Sequence, residues 1–452
     1  MTLNHEAVTW SGAKRRPEQA RRAPQPGHAA PATRTPAADG TAEGSAASKD
    51  PVPPLAGMRI LEIGHFVAAP FAGRVLADLG AEVIKIEPPG AGDPARRWGA
   101  LVGGRSVWWS VHARNKRSIA VDLKSPQGRE IILRLAREAD GVIENYRPGQ
   151  LEKWGIGPDD LRRVNPDIVV ARISGFGQTG AYRDRSAFGV IGEAIGGLRY
   201  LTGFPKGEHD LPPVRAGVSI GDSIAGLYAV IGILSGFAAR KMGRTPPKEF
   251  DVALYESIFS LLEGALPEYD KLGIVRQPSG AGIPTAAPSG TYRTKDGDWL
   301  CIAGNSEPIL ARLAQLMGRT DILADPRFGT NDLRVANSGA IDDIITAWTT
   351  TLDAVDAERA LNAADVPCCR IYTIADCVAD PHFKDRNMVR RVEDPQLGSV
   401  AHPGIVPRFP GSEARTLEPG APLGQDTDAV LGDRAGFSAE EIAALRKAGV
   451  IQ

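Results

Sequence analysis

Between Met58 and Glu87 the chain runs apolar stretch, glycine turn, helical pattern, apolar stretch, an order that leaves few folds open. Met58–Ile63 predicts a strand, and Gly64–Pro70 a turn with Pro70 at the first helical position. Phe71–Leu79 predicts a helix stopped by Gly80, and Ala81–Glu87 a second strand. Such a unit joins two parallel strands, so a parallel sheet with helices on its faces follows. Further strands are predicted at Gly141–Glu144 and Ile168–Ile173, each after a helical segment, Gly128–Ala139 and Asp159–Val164. The fold class is therefore α/β, with a doubly wound, Rossmann-like large domain.

Dinucleotide-binding folds begin the same way, but the glycine fingerprint for a pyrophosphate is missing. The turn has only Gly64, followed by His65 and Phe66. Glu87, closing the second strand, is either a ribose ligand or an acid that ends a strand by chance. With 53 basic and 54 acidic residues, the net charge of -1 gives no electrostatic reason to expect nucleic acid as a partner. Four cysteines, Cys301, Cys368, Cys369 and Cys377, are too few for a disulfide framework and badly spaced for a metal. No metal is expected, and a reducing cytoplasm is the expected location. Residues 1–52, rich in Ala, Pro, Gly and Ser, read as a disordered tail without chemistry.

The apolar stretch Ile224–Ala239 is shorter than the ~20 residues of a membrane span and carries Gly226, Gly232 and Gly236. It predicts a central helix buried on all sides, and no membrane partner is expected. Asp222, just before it, fits an N-cap. Most such aspartates are structural caps. The alternative is an ionised carboxylate held by free amides at the mouth of a dry interior, poised to attack an activated acyl group. Gly221 would let a substrate come close to the backbone.

Seven blocks then occur in order: GHFVAAP from Gly64, VIKIEPPGAGD from Val83, NKRSIAVDL from Asn115, ENYRPG from Glu144, SGFGQTG from Ser174, PPVRAGVSIGDS from Pro212 and DVALYES from Asp251. Together they resemble the class III CoA-transferase family, the formyl-CoA transferase and carnitine CoA-transferase type, from about Met58 to Phe409. The resemblance implies that Asp222 is the nucleophile, forming an aspartyl anhydride and then an aspartyl-CoA thioester. CoA would pass from an acyl-CoA, succinyl-CoA or a similar donor, to a carboxylic acid. No cofactor is implied, the CoA thioester being itself a substrate. For CoA it implies backbone contacts at Val67 and Ala68, an adenine wall at Val121, a phosphate contact at Lys124, and Asn145 with Tyr146 flanking the adenine. Lys153 stands where the family has a phosphate-binding arginine. Gly280 and Gly282 would belong to a lid over the aspartate.

Two departures from the family pattern bear on the substrate. Val67 replaces an active-site glutamine, which argues against formyl-CoA and oxalate, and Gly189 replaces a common acid. The related alpha-methylacyl-CoA racemases, the alternative reading, need a histidine in the Ala187-Phe188-Gly189 block, where none stands. His209 is the only histidine between Asn115 and Asp222. Arg96, Arg97 and Arg215 are candidates for holding a second substrate carboxylate.

Beyond about Gly273, Thr291–Ile302 reads as a hairpin with Asp296-Gly297 at its turn, followed by helices at Glu307–Met317, Asp342–Thr351 and Asp356–Ala364. The expected organisation is a large CoA-binding domain over 53–250, a smaller α+β domain over 275–375, and a return to the large domain over 376–452 ending in a helix at Ala439–Ala448. The resemblance further implies an interlocked homodimer.

Overall fold

The computed structural model describes residues 52–205, 207 and 210–452. The expected tail, apart from Val52, and His209 lie outside the described residues. Six parallel strands form the central sheet: β1 (Arg59–Ile63), β2 (Glu82–Glu87), β3 (Lys116–Ala120), β4 (Gly141–Glu144), β5 (Val169–Ser174) and β6 (Glu249–Ala253). Their spatial order is β3-β2-β1-β4-β5-β6. The chain thus winds outward from β1 through β2 to β3, then restarts beside β1 at β4 and winds the other way. The carboxyl ends of β1 and β4 flank the point of reversal, where an open α/β sheet has its binding crevice.

Alternation of side chains along the buried strands supplies two separate cores. Leu61, Ile63, Ile84, Ile86, Val142 and Val170 face one side, against Ile131 and Leu135 of the helix Pro126–Ala136. Val430, Leu431 and Ile451 from the end of the chain join this core. Ile60, Val83, Ile143, Val169 and Ala171 face the other side, against the helices Ala68–Asp78 and Ile220–Lys241. A Cβ on Gly226 would lie 2.8 Å from the Ala68 carbonyl oxygen, and one on Gly236 would lie 2.6 Å from Val169. Glycine is what lets the long helix pack this closely.

That helix differs from expectation in two respects. Its Gly/Ala face is buried, but Leu227 and Ile231 are 43% and 56% exposed, so burial is one-sided. It also begins at Ile220 with Ser219 as N-cap, which makes Asp222 the third helical residue and not the cap. The first helix likewise starts at Ala68, ahead of Pro70. Strands β3 and β6 were not among the predicted elements.

A third core lies around Leu300, Ile302, Leu313, Ile341, Ile345 and Leu361. It is covered by an antiparallel sheet of Ser289–Arg293, Trp299–Ala303 and Cys368–Arg370. Its first two strands are joined by the expected turn, with Gly297 at φ +87° and its N–H donating to the Thr294 carbonyl at 3.0 Å. The helices Glu307–Leu316, Ser338–Thr349 and Ala354–Ala363 complete this part. The chain then returns to the main sheet, where Ile451 bridges to Val121 and the helix Ala439–Lys447 begins at a Ser438/Glu441 capping box.

Candidate active site

A buried ion cluster shapes the crevice. Lys85 on β2 lies 2.9 Å from Glu62 and 2.8 Å from Asp93, and Lys116 lies 2.7 Å from Glu62. All four side chains are almost fully buried. Burial favours the neutral form of Asp93, but the Lys85 charge and the Ala95 and Phe66 amides outweigh it and hold the carboxyl below its ordinary value. Lys85 Nζ also donates to the Gly64 carbonyl at 3.0 Å, and the Phe66 amide donates to Asp93 at 3.1 Å. The turn after β1 is thereby clamped, with Phe66 held at φ +62°, a strained conformation for a bulky residue. Across the switch point, Asn145 locks the same turn: His65 N–H donates to its Oδ1, and its Nδ2 donates to the His65 carbonyl, both at 2.9 Å.

Between these two turns opens a cavity of about 420 Å³, within the usual range for small-molecule sites. Val67, Ala68, Asn145, Tyr146 and Asp222 all line it. The structure thus brings together five of the predicted site residues from three separated parts of the chain. The Asn145 side chain is committed to the turn, which leaves the half-buried Tyr146 ring as the flat surface in the cavity wall. That ring stands 5.0 Å from His65 and 4.9 Å, edge to face, from Trp154. The other predicted residues lie elsewhere. Val121 is fully buried and offers the cavity no surface. Lys124 and Lys153 are exposed outside it. Gly280 and Gly282 border a different cavity, of about 850 Å³, beside Phe204 and Pro205. There Gly280, at φ +64°, donates its N–H to the Gly203 carbonyl at 2.9 Å.

Of the arginines expected near a substrate carboxylate, two are engaged elsewhere. Arg96 forks onto Glu87 with two 2.7 Å bonds and lies over the Trp109 ring. This pairing also removes Glu87 as a ribose ligand. Arg97 is bonded to the Ala91 carbonyl. Only Arg215 lies near Asp222, where its charge favours the ionised carboxylate.

The backbone N–H groups of Gly189 and of Asp222 itself favour the ionised form of the Asp222 carboxylate. A Cβ on Gly189 would lie 2.1 Å from Asp222 Oδ2, so the carboxylate occupies the space a side chain there would fill. The N-terminal amides were expected to hold Asp222 ionised. Burial instead raises its pKa, and the neighbouring charge of Glu193 adds to this; Arg215 and the amides oppose them, leaving a value of about 6. At pH 7 the group is still about nine-tenths ionised and more basic than an ordinary aspartate.

Residue-by-residue sequence reading missed six other features of the site. Arg147, Arg183 and Arg185 line the cavity, and Arg147 also bonds Ser186 Oγ. Arg147 directly follows Tyr146 in a recognised block, and the alternation in Arg183-Asp184-Arg185 was a weak signal. His65 lines the wall, where burial lowers its pKa and favours the neutral ring. Glu193 and Arg199 gave no signal, because what they touch is set by the tertiary fold.

The sequence model for CoA-transferase family III matches residues 55–427. The chain is 43% identical over 405 residues to the succinyl-CoA–D-citramalate CoA-transferase of Chloroflexus aurantiacus, covering 89% of this chain and 100% of that one. It is 32% identical over 406 residues to the human succinyl-CoA:glutarate CoA-transferase, covering 88% and 90% of the two chains. Among solved structures it is similar to a CAIB/BAIF family protein from Brucella suis, with a TM-score of 0.71 and 32% identity over 84% of this chain and 99% of that one.

Proposed function

Because the chain belongs to CoA-transferase family III, we propose that it moves CoA from succinyl-CoA, or a similar short acyl-CoA, to a carboxylic acid acceptor through covalent intermediates on Asp222. The observation that carries this reading is the position of Asp222: a half-buried carboxylate of raised basicity at the end of a cavity on the sheet's switch point. The relatives named above pair succinyl-CoA with citramalate or glutarate, which supports the choice of donor.

The chemistry balances without an external base. An Asp222 oxygen attacks the thioester carbon, the C–S bond breaks, and CoA thiolate leaves a mixed anhydride. The thiolate attacks the aspartyl carbonyl, releasing the donor acid and forming an aspartyl-CoA thioester. The acceptor carboxylate attacks that thioester and again expels thiolate. The thiolate then takes the acceptor's acyl carbon and frees Asp222. Each step exchanges acyl derivatives of comparable activation, so no ATP and no resident cofactor enters the scheme. The Gly189 N–H, which favours the ionised Asp222 carboxyl, would steady charge developing there.

In this reading the adenine stacks on Tyr146, and the Val67–Ala68 backbone faces the pantetheine arm. Arg147, Arg183 and Arg185 hold phosphates, with Lys124 and Lys153 as outlying charges. The loop of Gly280 and Gly282 acts as a lid once its bond to Gly203 opens. The enzyme works as a homodimer in the cytoplasm, and the exposed Leu227 and Ile231 face supports a second copy as its cover.

Succinyl-CoA incubated with a panel of mono- and dicarboxylic acids, followed by chromatography of the CoA esters, tests the reading. Formation of a new acyl-CoA with release of succinate supports it. Failure to transfer CoA from any short acyl-CoA to any acid in the panel refutes it.

A further inference from the structure

Glu193 is a buried charge that the scheme above leaves without a task. Its side chain is 2% exposed, and it stands four residues after Gly189 on the same face of the helix Gly189–Ile195. A Cβ on Gly221 would lie 3.3 Å from Glu193 Cγ. The absence of a side chain at 221 therefore lets Glu193 reach the base of the Asp222 turn. Its Oε2 accepts from Arg199 at 3.0 Å and lies 3.9 Å from Arg215, while its buried Oε1 has no hydrogen-bond partner among the described residues.

One carboxylate therefore gathers two guanidinium groups, Arg215 among them acting on the Asp222 charge, and leaves the trio with a surplus positive charge. Arg199 spends one donor on Glu193, and Arg215, half-exposed, makes no hydrogen bond among the described residues. Most of two planar forks remains free for another anion. Glu193 and Arg215 both act on the Asp222 charge, so an anion held by this group lies near the thioester carbon that Asp222 must meet.

We propose that Arg199 and Arg215, held in place by Glu193, form a subsite for the far carboxylate of a short dicarboxylic acyl group. Arg199 and Arg215 are its binding groups and Glu193 its positioning residue. The assignment rests on Asp222 acting as the nucleophile. It adds that the acyl donor carries a second carboxylate.

The test compares succinyl-CoA with butyryl-CoA, which has the same chain length and a methyl in place of the far carboxylate. Arg199→Ala and Glu193→Gln are expected to lower the kcat/KM preference for succinyl-CoA by about ten- to a hundredfold, the size of a lost charged hydrogen bond. Glu193→Gln is also expected to move the acid limb of kcat to lower pH, which a purely structural role would not do, since the Glu193 charge opposes ionisation of Asp222. Thermal melts confirm that each variant is folded. A parent enzyme that uses butyryl-CoA as well as succinyl-CoA overturns the subsite, as does a folded Arg199→Ala enzyme that keeps the full preference. Either result leaves the transferase reading standing, whereas failure to transfer from any short acyl-CoA removes both.

Discussion

Gly189→Ala places a methyl group where the nucleophile now is. The added Cβ would meet Asp222 Oδ2 at 2.1 Å, Cγ at 2.6 Å and the Asp222 amide nitrogen at 3.1 Å. An ordinary contact begins near 3.4 Å, so the difference from 2.1 Å requires a retreat of about 1.3 Å. Displacement of a reacting group by about 1 Å costs on the order of a hundredfold in rate, or about 2.7 kcal/mol of activation energy. The retreat also weakens the support that the Gly189 N–H gives the ionised carboxylate. Alanine itself favours a helical position by up to about 1 kcal/mol, which offsets part of the clash, so the fold survives while the rate drops. The assay is kcat for transfer from succinyl-CoA, with a thermal melt beside it. Gly196→Ala is the control: its Cβ would crowd Ile258 Cγ2 at 2.7 Å, in the same helix neighbourhood but away from the carboxylate. It is expected to lower stability and leave kcat alone. A Gly189→Ala enzyme within about threefold of its parent would refute the reasoning.

Four further outcomes follow from the structure. With the Asp222 pKa at about 6, kcat should fall about tenfold per pH unit below 6, and a pH–rate profile with its acid limb near 4 would contradict this. Because that value lies above the ordinary 3.8, the ionised carboxylate weakens the fold above pH 6, and the penalty fades as pH falls toward 4. Asp222→Asn should therefore melt higher than the parent at pH 7 and alike near pH 4. Lys85→Met leaves Glu62 and Asp93 without their shared buried partner and should cost about 3–5 kcal/mol in denaturant unfolding; a loss under about 1 kcal/mol would show that the cluster does not hold the turn. Gly280→Val, forced to φ +64°, should raise hydrolysis of acyl-CoA relative to transfer if that loop shields the anhydride, and an unchanged ratio would remove the lid.

Strands β1, β2, β4 and β5 can be read directly from the chain, because each is a short apolar run bounded by turn residues. Strand β3 cannot, since it opens on Lys116-Arg117-Ser118. Lys116 lies buried only because Glu62, distant in sequence, faces it across the sheet. Strand β6 has the same difficulty, with Glu249 and Asp251 among its five residues. The long helix is legible as apolar, but its one exposed side is not, because an apolar residue bears no mark of what covers it. Asp222, Val67, Ala68, Asn145 and Tyr146 are legible through motif order, and they do converge on one cavity. The state of Asp222 is not, because it depends on Glu193, Arg215 and the room left at Gly189. Arg96 shows the opposite failure: a motif arginine expected to await substrate already has its fork filled by Glu87.

The most direct measurement is peptide mass spectrometry after mixing the enzyme with succinyl-CoA and quenching in hydroxylamine, which converts an activated carboxyl into a hydroxamate. The account predicts a hydroxamate on Asp222 that requires the acyl-CoA and is absent from the Asp222→Asn enzyme. Full transfer activity with an unmodified Asp222, or modification at another carboxylate, would contradict it.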